Sequence, residues 1–204
     1  MVLNTETEQR IIASAEKLFY QNGKAGTSMQ DIADDAGINR TLLNYYFRSK
    51  DKLFEAVFRK AMGSIVPNLV RMLHSEMSFE EYVPQMIETI INAMLENPQI
   101  SIFVLQELSS NPERMPQIIR EMGIDPGIAM EKFQAGRRGS AGIKDDPRQL
   151  IINILSLCIF PFAARPVVTE ILYNGDEDAF RKAMRQRKEI LPEMFRTIMK
   201  NSMK

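Results

Sequence analysis

Apolar residues recur at helical spacing along nearly the whole chain of 204 residues, and no segment alternates polar and apolar residues for long. This pattern predicts an all-α protein with roughly nine or ten helices. Hydrophobic residues make up 45% of the chain, which is typical of a globular protein. The length favours one large domain or two small ones.

Composition argues against several kinds of function. The single cysteine, Cys158, excludes an internal disulfide and a cysteine-based zinc cluster, and we interpret it as a small buried hydrophobe. The single histidine, His74, excludes a two-histidine metal site within one chain and argues against histidine-dependent catalysis. With no glycine-rich phosphate loop and no spaced metal ligands, we predict no metal, no cofactor and no enzymatic activity.

Neither the N-terminal residues nor the longest apolar stretch indicates a membrane protein. Residues 1–6 lack the basic region and apolar core of a signal peptide. The longest apolar stretch, residues 150–164, contains Asn153, Ser156 and Pro161, and it falls short of the ~18 uninterrupted residues of a membrane span. We therefore predict a cytoplasmic protein without a membrane partner.

Caps and breakers predict the helix boundaries. A long helix should run from Ser49 to Leu73, bent at Pro67, and a Gly- and charge-rich loop should occupy residues 136–146. Other helices are predicted at about residues 5–21, 28–35, 40–47, 78–96, 147–162 and 176–201, with further starts at Asn97-Pro98, Asn111-Pro112 and Asp125-Pro126. We place a domain boundary inside the long helix, between residues 1–50 and 51–204.

Residues 28–47 form two short predicted helices joined by a tight turn at Gly37, the arrangement of a helix-turn-helix motif. At 100° per residue, one face of the second helix carries polar side chains within an arc of ~140°. Leu43 and Phe47 fall on the opposite face. Guanidinium, amide and hydroxyl groups read base edges in the major groove, so the candidate base-reading residues are Arg40, Thr41, Asn44 and Tyr45.

Lysines at the start of the long helix strengthen this interpretation. Lys50 and Lys52 lie in its first turn, where the helix dipole disfavours cations but a docked phosphate would favour them. The cap residues Thr27 and Ser28 offer a second helix N-terminus to the DNA backbone. Residues 1–60 carry nine basic and eight acidic side chains, a net charge of +1, so tight binding should require two copies.

The motif resembles the TetR family of bacterial transcriptional regulators. The resemblance lies in residues 27–40, Thr-Ser-Met-Gln-Asp-Ile-Ala-Asp-Asp-Ala-Gly-Ile-Asn-Arg, and residues 43–54, Leu-Asn-Tyr-Tyr-Phe-Arg-Ser-Lys-Asp-Lys-Leu-Phe. It covers about residues 8–55, a quarter of the chain. Asn44 stands where the family usually has Tyr, and Leu42 where it often has Thr or a small residue, which puts the target sequence in doubt.

The resemblance implies that Arg40, Thr41, Asn44 and Tyr45 face the groove. It also implies phosphate contacts from Thr27, Ser28, Tyr46 and Lys50, and a nucleoid-associated homodimer that reads a palindromic operator in double-stranded DNA. Repression is the majority behaviour in the family, so a repressor is expected.

The last two long helices are the expected dimer interface. The first is apolar nearly all round and can be buried on both sides, and the second has an apolar arc of ~140°. Arg187 lies within this arc, either as a rim residue or as half of a cross-dimer ion pair. The predicted interface residues are Ile151, Leu155, Cys158, Phe180, Met184, Arg187, Leu191, Phe195 and Ile198.

The central helices should enclose a pocket for a small, mostly apolar effector. The chain has 14 methionines, which suit adaptable apolar sites but also fill ordinary cores. Glu107 is a carboxylate on an apolar face, so it either pairs within the protein or meets a ligand. The candidate lining residues are Met86, Ile90, Met94, Phe103, Glu107, Met122, Met130, Phe133, Asn153 and Ser156.

The sequence thus predicts a ligand-responsive, dimeric DNA-binding regulator. Two alternatives stay open, namely a constitutive DNA organiser or occlusion factor without an effector, and a helical carrier of apolar molecules. Operator specificity and an effector titration distinguish them.

Overall fold

The computed structural model describes residues 5–110, 112–138 and 146–201, and these residues form twelve α-helices and no strand. The predicted all-α fold is confirmed. The helices are α1 (Thr5–Asn22), α2 (Met29–Asp35), α3 (Arg40–Tyr46), α4 (Lys50–Met62), α5 (Val66–Leu73), α6 (Phe79–Glu96), α7 (Gln99–Ser110), α8 (Arg114–Glu121), α9 (Pro126–Arg138), α10 (Pro147–Ala163), α11 (Arg165–Tyr173) and α12 (Glu177–Asn201).

The predicted long helix is two helices. α4 ends at Met62 with Gly63 as its C-cap, and α5 begins three residues later at Val66. Pro67 lies in the first turn of α5, where its missing N–H leaves no helical hydrogen bond unmade. The prediction of a bend at Pro67 is therefore wrong, because this proline starts a helix instead of interrupting one.

Two other boundaries differ from the predictions. Helix α11 was not predicted, and it begins beside Pro166, which again occupies the first turn. Helix α9 extends to Arg138, so the predicted loop at residues 136–146 begins later than expected. The remainder of that loop, residues 139–145, lies outside the described residues.

The chain divides into two compact units, Met1–Gly63 with Ile102–Asn111, and Ser64–Ser101 with Pro112–Lys204. The first unit is called the DNA-binding unit below and the second the helical body. The division falls at Gly63, later than the predicted boundary near residue 50, because α4 packs along α1 and shares its core.

Aromatic rings form the core of the DNA-binding unit. Phe54 of α4 lies 5.1 Å from the rings of both Phe19 and Phe103, and Phe103 also lies 4.9 Å from Tyr20. Edge-to-face and tilted pairs of this kind stabilise a small core beyond simple burial. Helix α2 packs against α1, and α3 packs against α2.

Helix α6 is the central helix of the helical body, and α5, α9, α10 and α12 all pack against it. A capping box starts it, in which Ser78 and Glu81 exchange hydrogen bonds. The Ser78 backbone N–H and hydroxyl hold the pKa of the Glu81 carboxyl below its usual value. Ten of its 18 residues are buried, and Glu81, Gln85 and Glu88 lie on its exposed side.

Among the described residues, no single helix has the length and apolar character to cross a membrane. Helices α10 and α11 meet that criterion only when joined, and they are bent by 78°.

Candidate nucleic-acid interface

Helix α2 begins with a complete capping box. The Ser28 hydroxyl accepts a hydrogen bond from the Asp31 backbone N–H at 3.1 Å, and the Asp31 carboxylate accepts one from the Ser28 backbone N–H at 2.8 Å. Hydrogen bonds from the Ser28 side chain and backbone hold the pKa of the Asp31 carboxyl below its usual value. Ser28, and not Thr27, is therefore the residue that caps α2.

The turn between α2 and α3 is tight. Gly37 adopts a φ of +64°, a left-handed conformation that a side chain would strain, and Ile38 donates its N–H to the Ala33 carbonyl at 3.0 Å. Ala33 is fully buried, so its small side chain lies within the packed motif. Asn39 then caps α3 by accepting from the Leu42 N–H at 2.8 Å.

Helix α3 has one apolar side and one polar side. Leu43 is fully buried and Phe47, its C-cap residue, is nearly so. Arg40, Thr41 and Asn44 are exposed, and Tyr45 is 55% exposed. The structure thus presents together, on one outward face, the four side chains that the sequence singled out for base reading.

Two predicted phosphate contacts have their side chains engaged inside the protein. Thr27 is 2% exposed, and its hydroxyl donates to the carbonyls of Leu18 and Gly23. The Lys50 ammonium donates to the carbonyls of Lys24 and Thr27 at 2.9 and 3.1 Å. Both side chains thus hold the α1–α2 loop, residues 23–28, which corrects the expectation that they are presented to phosphates.

The remaining predicted phosphate contacts are accessible. Ser28 is exposed, and Tyr46 is partly exposed with its ring 5.7 Å from that of Tyr45. Lys52 is exposed at the start of α4, where Ser49 caps the helix by accepting from the Lys52 N–H.

The predicted effector pocket is not assembled as expected. Phe103 and Glu107 belong to the DNA-binding unit, where they line a cleft of about 500 Å³ with Lys24, Lys50 and Phe54. Asn153 and Ser156 are exposed on α10, so they cannot line an interior site. These assignments fail because helical spacing shows that a residue shares a face but not what that face meets.

The other predicted pocket residues lie in the helical body. A groove of about 690 Å³ there lies along α5 and α6, and polar side chains form most of its lining, including those of Asn68, Arg71 and Glu88. None of the predicted pocket residues lines this groove. The other six predicted pocket residues belong to the helical body. Met86, Ile90, Met94 and Phe133 are buried there, and Met122 and Met130 are partly exposed.

Most of the predicted dimer-interface residues are buried within the protomer. Phe180 is 1% exposed, and its ring lies 5.9 Å from those of Phe162 and Tyr173. The other buried members of the predicted set are Cys158, Met184, Leu191 and Phe195. Leu155 is exposed, Ile151 is partly exposed, and the side chain of Ile198 lies outside the described residues.

Arg187 has a hydrogen-bond partner within its own protomer. Its guanidinium donates to the Leu157 carbonyl of α10 at 2.9 Å, so it joins α12 to α10 within one protomer. Cys158 is fully buried next to this contact, as predicted, and burial raises the pKa of its thiol to about 12 despite the nearby Arg187 charge. A thiol of this kind is unreactive at neutral pH.

The helical body has an exposed apolar surface elsewhere on the same helices. On α11, Ile171 is 70% exposed, and Val167 and Leu172 are similarly open to solvent. On α10, Ile152, Leu155 and Phe160 are exposed on a face that also carries Asn153 and Ser156. We call these eight residues the α10–α11 face. Several exposed apolar side chains on neighbouring helices are typical of a protein–protein interface.

Comparison with known proteins identifies the motif. Residues 11–57 match the model of the bacterial regulatory proteins of the tetR family. This match shows that the helix-turn-helix segment is of the TetR type. It is 25% identical over 191 residues to the probable HTH-type transcriptional regulator YttP of Bacillus subtilis, covering 87% of each chain. It is also 40% identical to the regulator TtgR of Pseudomonas putida over 52 residues, 26% of this chain and 25% of TtgR.

Solved TetR-like structures share the architecture. The crystal structure of HlyIIR, a hemolysin II transcriptional regulator, superposes with a TM-score of 0.63 at 22% identity, covering 87% of this chain and 96% of HlyIIR. A putative tetR family regulator from Shewanella superposes with a TM-score of 0.59 at 20% identity over 89% of this chain and 95% of that one. TetR-family regulators bind DNA and act as dimers. This chain is therefore a DNA-binding transcriptional regulator and not an enzyme.

Sequence reasoning missed one cluster in the DNA-binding unit. Lys24 lies 3.3 Å from Asp51 and 3.9 Å from Glu107, with its ammonium 5.1 Å from the centre of the Phe54 ring. The helical spacing of α7 did indicate that Glu107 is a carboxylate among apolar neighbours. No sequence signal linked it to Lys24, which lies 83 positions away in a loop.

Proposed function

We propose that this regulator is a dimeric repressor that reads a palindromic operator with α3 of each protomer and is released by a small, mostly apolar effector. The observation that carries the DNA part is the two-sided character of α3. Arg40, Thr41 and Asn44 are exposed while Leu43 and Phe47 are buried behind them.

The base-reading proposal follows from side-chain chemistry. Arg pairs with guanine through two donors, Asn pairs with adenine through a donor and an acceptor, and Thr can contact the thymine methyl group. Arg40 and Asn44 are four residues apart, so they lie one turn apart on the same face of α3. Ser28 and Tyr46 are the proposed phosphate contacts, and such contacts set position instead of sequence preference.

We propose the α10–α11 face as the dimer interface. Its exposed apolar side chains would be covered by the same face of a second copy, as a twofold axis requires. Asn153 and Ser156, which the sequence assigned to the pocket, would supply the small polar contacts within it. Twofold symmetry would place two recognition helices about one DNA turn apart, ~34–36 Å, and so match a palindrome.

The proposed effector site lies in the helical body around Met86, Ile90, Met94 and Phe133. Buried methionine side chains adapt their shape to apolar molecules more readily than branched side chains do. An effector that binds the DNA-incompetent state more tightly would lower operator affinity, with a coupling of ~1–3 kcal/mol.

Selection of bound fragments from a random DNA pool, followed by sequencing, tests the operator proposal. We expect a palindrome, and we expect Arg40→Ala to relax the preference at one base position in each half-site. Arg185→Ala is the matched control, because it removes an exposed arginine from α12 in the helical body. Recovery of fragments without any common sequence would contradict the proposal.

The second candidate function is constitutive DNA binding without an effector. The polar lining of the groove along α5 and α6 favours it, since that groove does not resemble a site for an apolar molecule. Titration of a panel of apolar compounds against the operator complex distinguishes the two functions. Release by any of them supports the effector-controlled repressor, and retention with all of them supports constitutive binding.

A further inference from the structure

We propose that Glu107 is a positioning residue for DNA binding, which holds the α1–α2 loop and therefore the start of the helix-turn-helix through Lys24. The proposal rests on the DNA-binding function and adds a residue that lies outside the matched family segment, residues 11–57. Glu107 belongs to the DNA-binding unit although it follows the first part of that unit by more than forty positions in the chain.

The first step is the burial of the carboxylate. Glu107 is 3% exposed and lines the cleft of the DNA-binding unit with Phe54 and Phe103. Removing a charged carboxylate from water is costly unless charged or hydrogen-bonding groups compensate. The ammonium of Lys24, 3.9 Å away, supplies part of that compensation.

The second step is the confinement of Lys24. Its side chain is 17% exposed and lies between Asp51 of α4 and Glu107 of α7, over the face of the Phe54 ring. A partly buried ammonium between two carboxylates and an aromatic face has little freedom to reorient. Glu107 therefore restrains Lys24 from the buried side, and Asp51 restrains it from the solvent side.

The third step links Lys24 to the recognition motif. Its backbone carbonyl and that of Thr27 both accept hydrogen bonds from the Lys50 ammonium. Thr27 directly precedes Ser28, the N-cap of α2. A shift of the Lys24 side chain would therefore move the α1–α2 loop, whose last residue sets where α2 begins. Even a small displacement of α2 and α3 would weaken their contacts with DNA.

The test uses the full chain and an operator taken from the random-pool selection. We expect Glu107→Gln and Lys24→Met each to weaken operator affinity by about fivefold, and the double variant to be no weaker than either single one. Lys24→Arg, which keeps the cation, should stay within about twofold of the wild type. Glu16→Gln is the matched control, since it breaks the exposed Glu16–Lys60 ion pair between α1 and α4 of the same unit.

Amide hydrogen exchange on the DNA-free protein separates positioning from general stability. In Glu107→Gln we expect faster exchange at residues 25–28 and unchanged protection at Leu43 of α3, whereas a merely structural loss would speed exchange throughout the unit. All affinities are measured at a temperature where thermal scans show every variant folded. If Glu107→Gln does not fold, Lys24→Met and Lys24→Arg carry the comparison.

The outcomes separate this proposal from the one on which it rests. If the wild type selects no operator, the proposed function fails. If the wild type binds an operator and Glu107→Gln binds it equally well, or if the two single effects multiply in the double variant, the role of Glu107 is overturned.

Discussion

Helices α3 and α10 each present an exposed face, and the two faces differ in chemistry. The face of α3 carries Arg40, Thr41 and Asn44, which water solvates well when no DNA is bound. The face of α10 carries Ile152 and Phe160, whose exposure to water is unfavourable. An exposed polar face is compatible with a partner that binds transiently. An exposed apolar face favours a partner that stays bound.

The largest effect is expected from a buried ring in the α10–α12 region. Phe180→Ala should lower the free energy of unfolding by ~3–5 kcal/mol, because it empties a buried ring site between Phe162 and Tyr173. Denaturant unfolding measures the change. Ile190→Ala, at an exposed position of α12 outside the α10–α11 face, is the control and should cost much less.

The second prediction concerns substitutions that place charges on the α10–α11 face. Ile171→Asp combined with Leu172→Asp should weaken dimerisation by at least ~2 kcal/mol, about thirtyfold, because two charges would be buried in the proposed contact. Sedimentation over a range of concentrations measures the monomer fraction. Lys182→Asp, on the exposed side of α12, provides a charge-changing control. An unchanged dimer in the α11 variant would place the interface elsewhere.

The third prediction concerns the loss of a polar side chain from the exposed face of α3. Asn44→Ala should reduce discrimination at one operator position by ~1–3 kcal/mol, since an amide that pairs with a base edge would be lost. Competition between the operator and its single-base variants measures this. Discrimination that stays the same at every position would show that Asn44 faces the DNA without reading it.

The fourth prediction concerns the support beneath the polar face. Ser28→Ala should lower the free energy of unfolding by about 1 kcal/mol, because the Asp31 N–H loses its acceptor at the start of α2. Thermal unfolding measures the loss. Ser110→Ala, at an exposed position in the last turn of α7, should be nearly neutral by the same measurement.

The smallest expected effect is a pH dependence from the same capping box. The pKa of Asp31 is lowered in the folded state, so its carboxylate stabilises the protein above the unfolded-state pKa of about 3.9. That contribution is lost as the pH falls through the lowered value. The melting-temperature difference between wild type and Asp31→Asn should therefore be largest near neutral pH and shrink below pH ~4. A difference that is constant with pH would show that the charge of Asp31 plays no part.

Sequence reasoning succeeded where a helix has one buried side. Helix α3 packs against α2, so the alternation of Leu43 and Phe47 with Asn44 and Tyr45 was enough to predict which side is exposed. It failed for α10 and α12. α10 is apolar nearly all round, and its pattern could not distinguish the side facing α6 from the side facing solvent.

Local chemistry also explains the helix boundaries that were predicted and those that were not. Caps at Ser28, Asn39 and Ser78 act within one turn of chain, so the sequence shows them directly. Pro67 and Pro166 are ambiguous, because a proline can bend a helix or begin one. Which of these happens depends on where the preceding helix stops.

By itself, the sequence determined the all-α fold, the helix-turn-helix and the four side chains on its outward face, since each depends on residues within a few turns of one another. Only the tertiary structure decided that Phe180 and Leu191 are core, that Asn153 is exposed, and that Glu107 lies beside Lys24. These facts join residues far apart in the chain. The periodicity of a helix records that a face is apolar or charged, but the neighbour that covers it is set by packing.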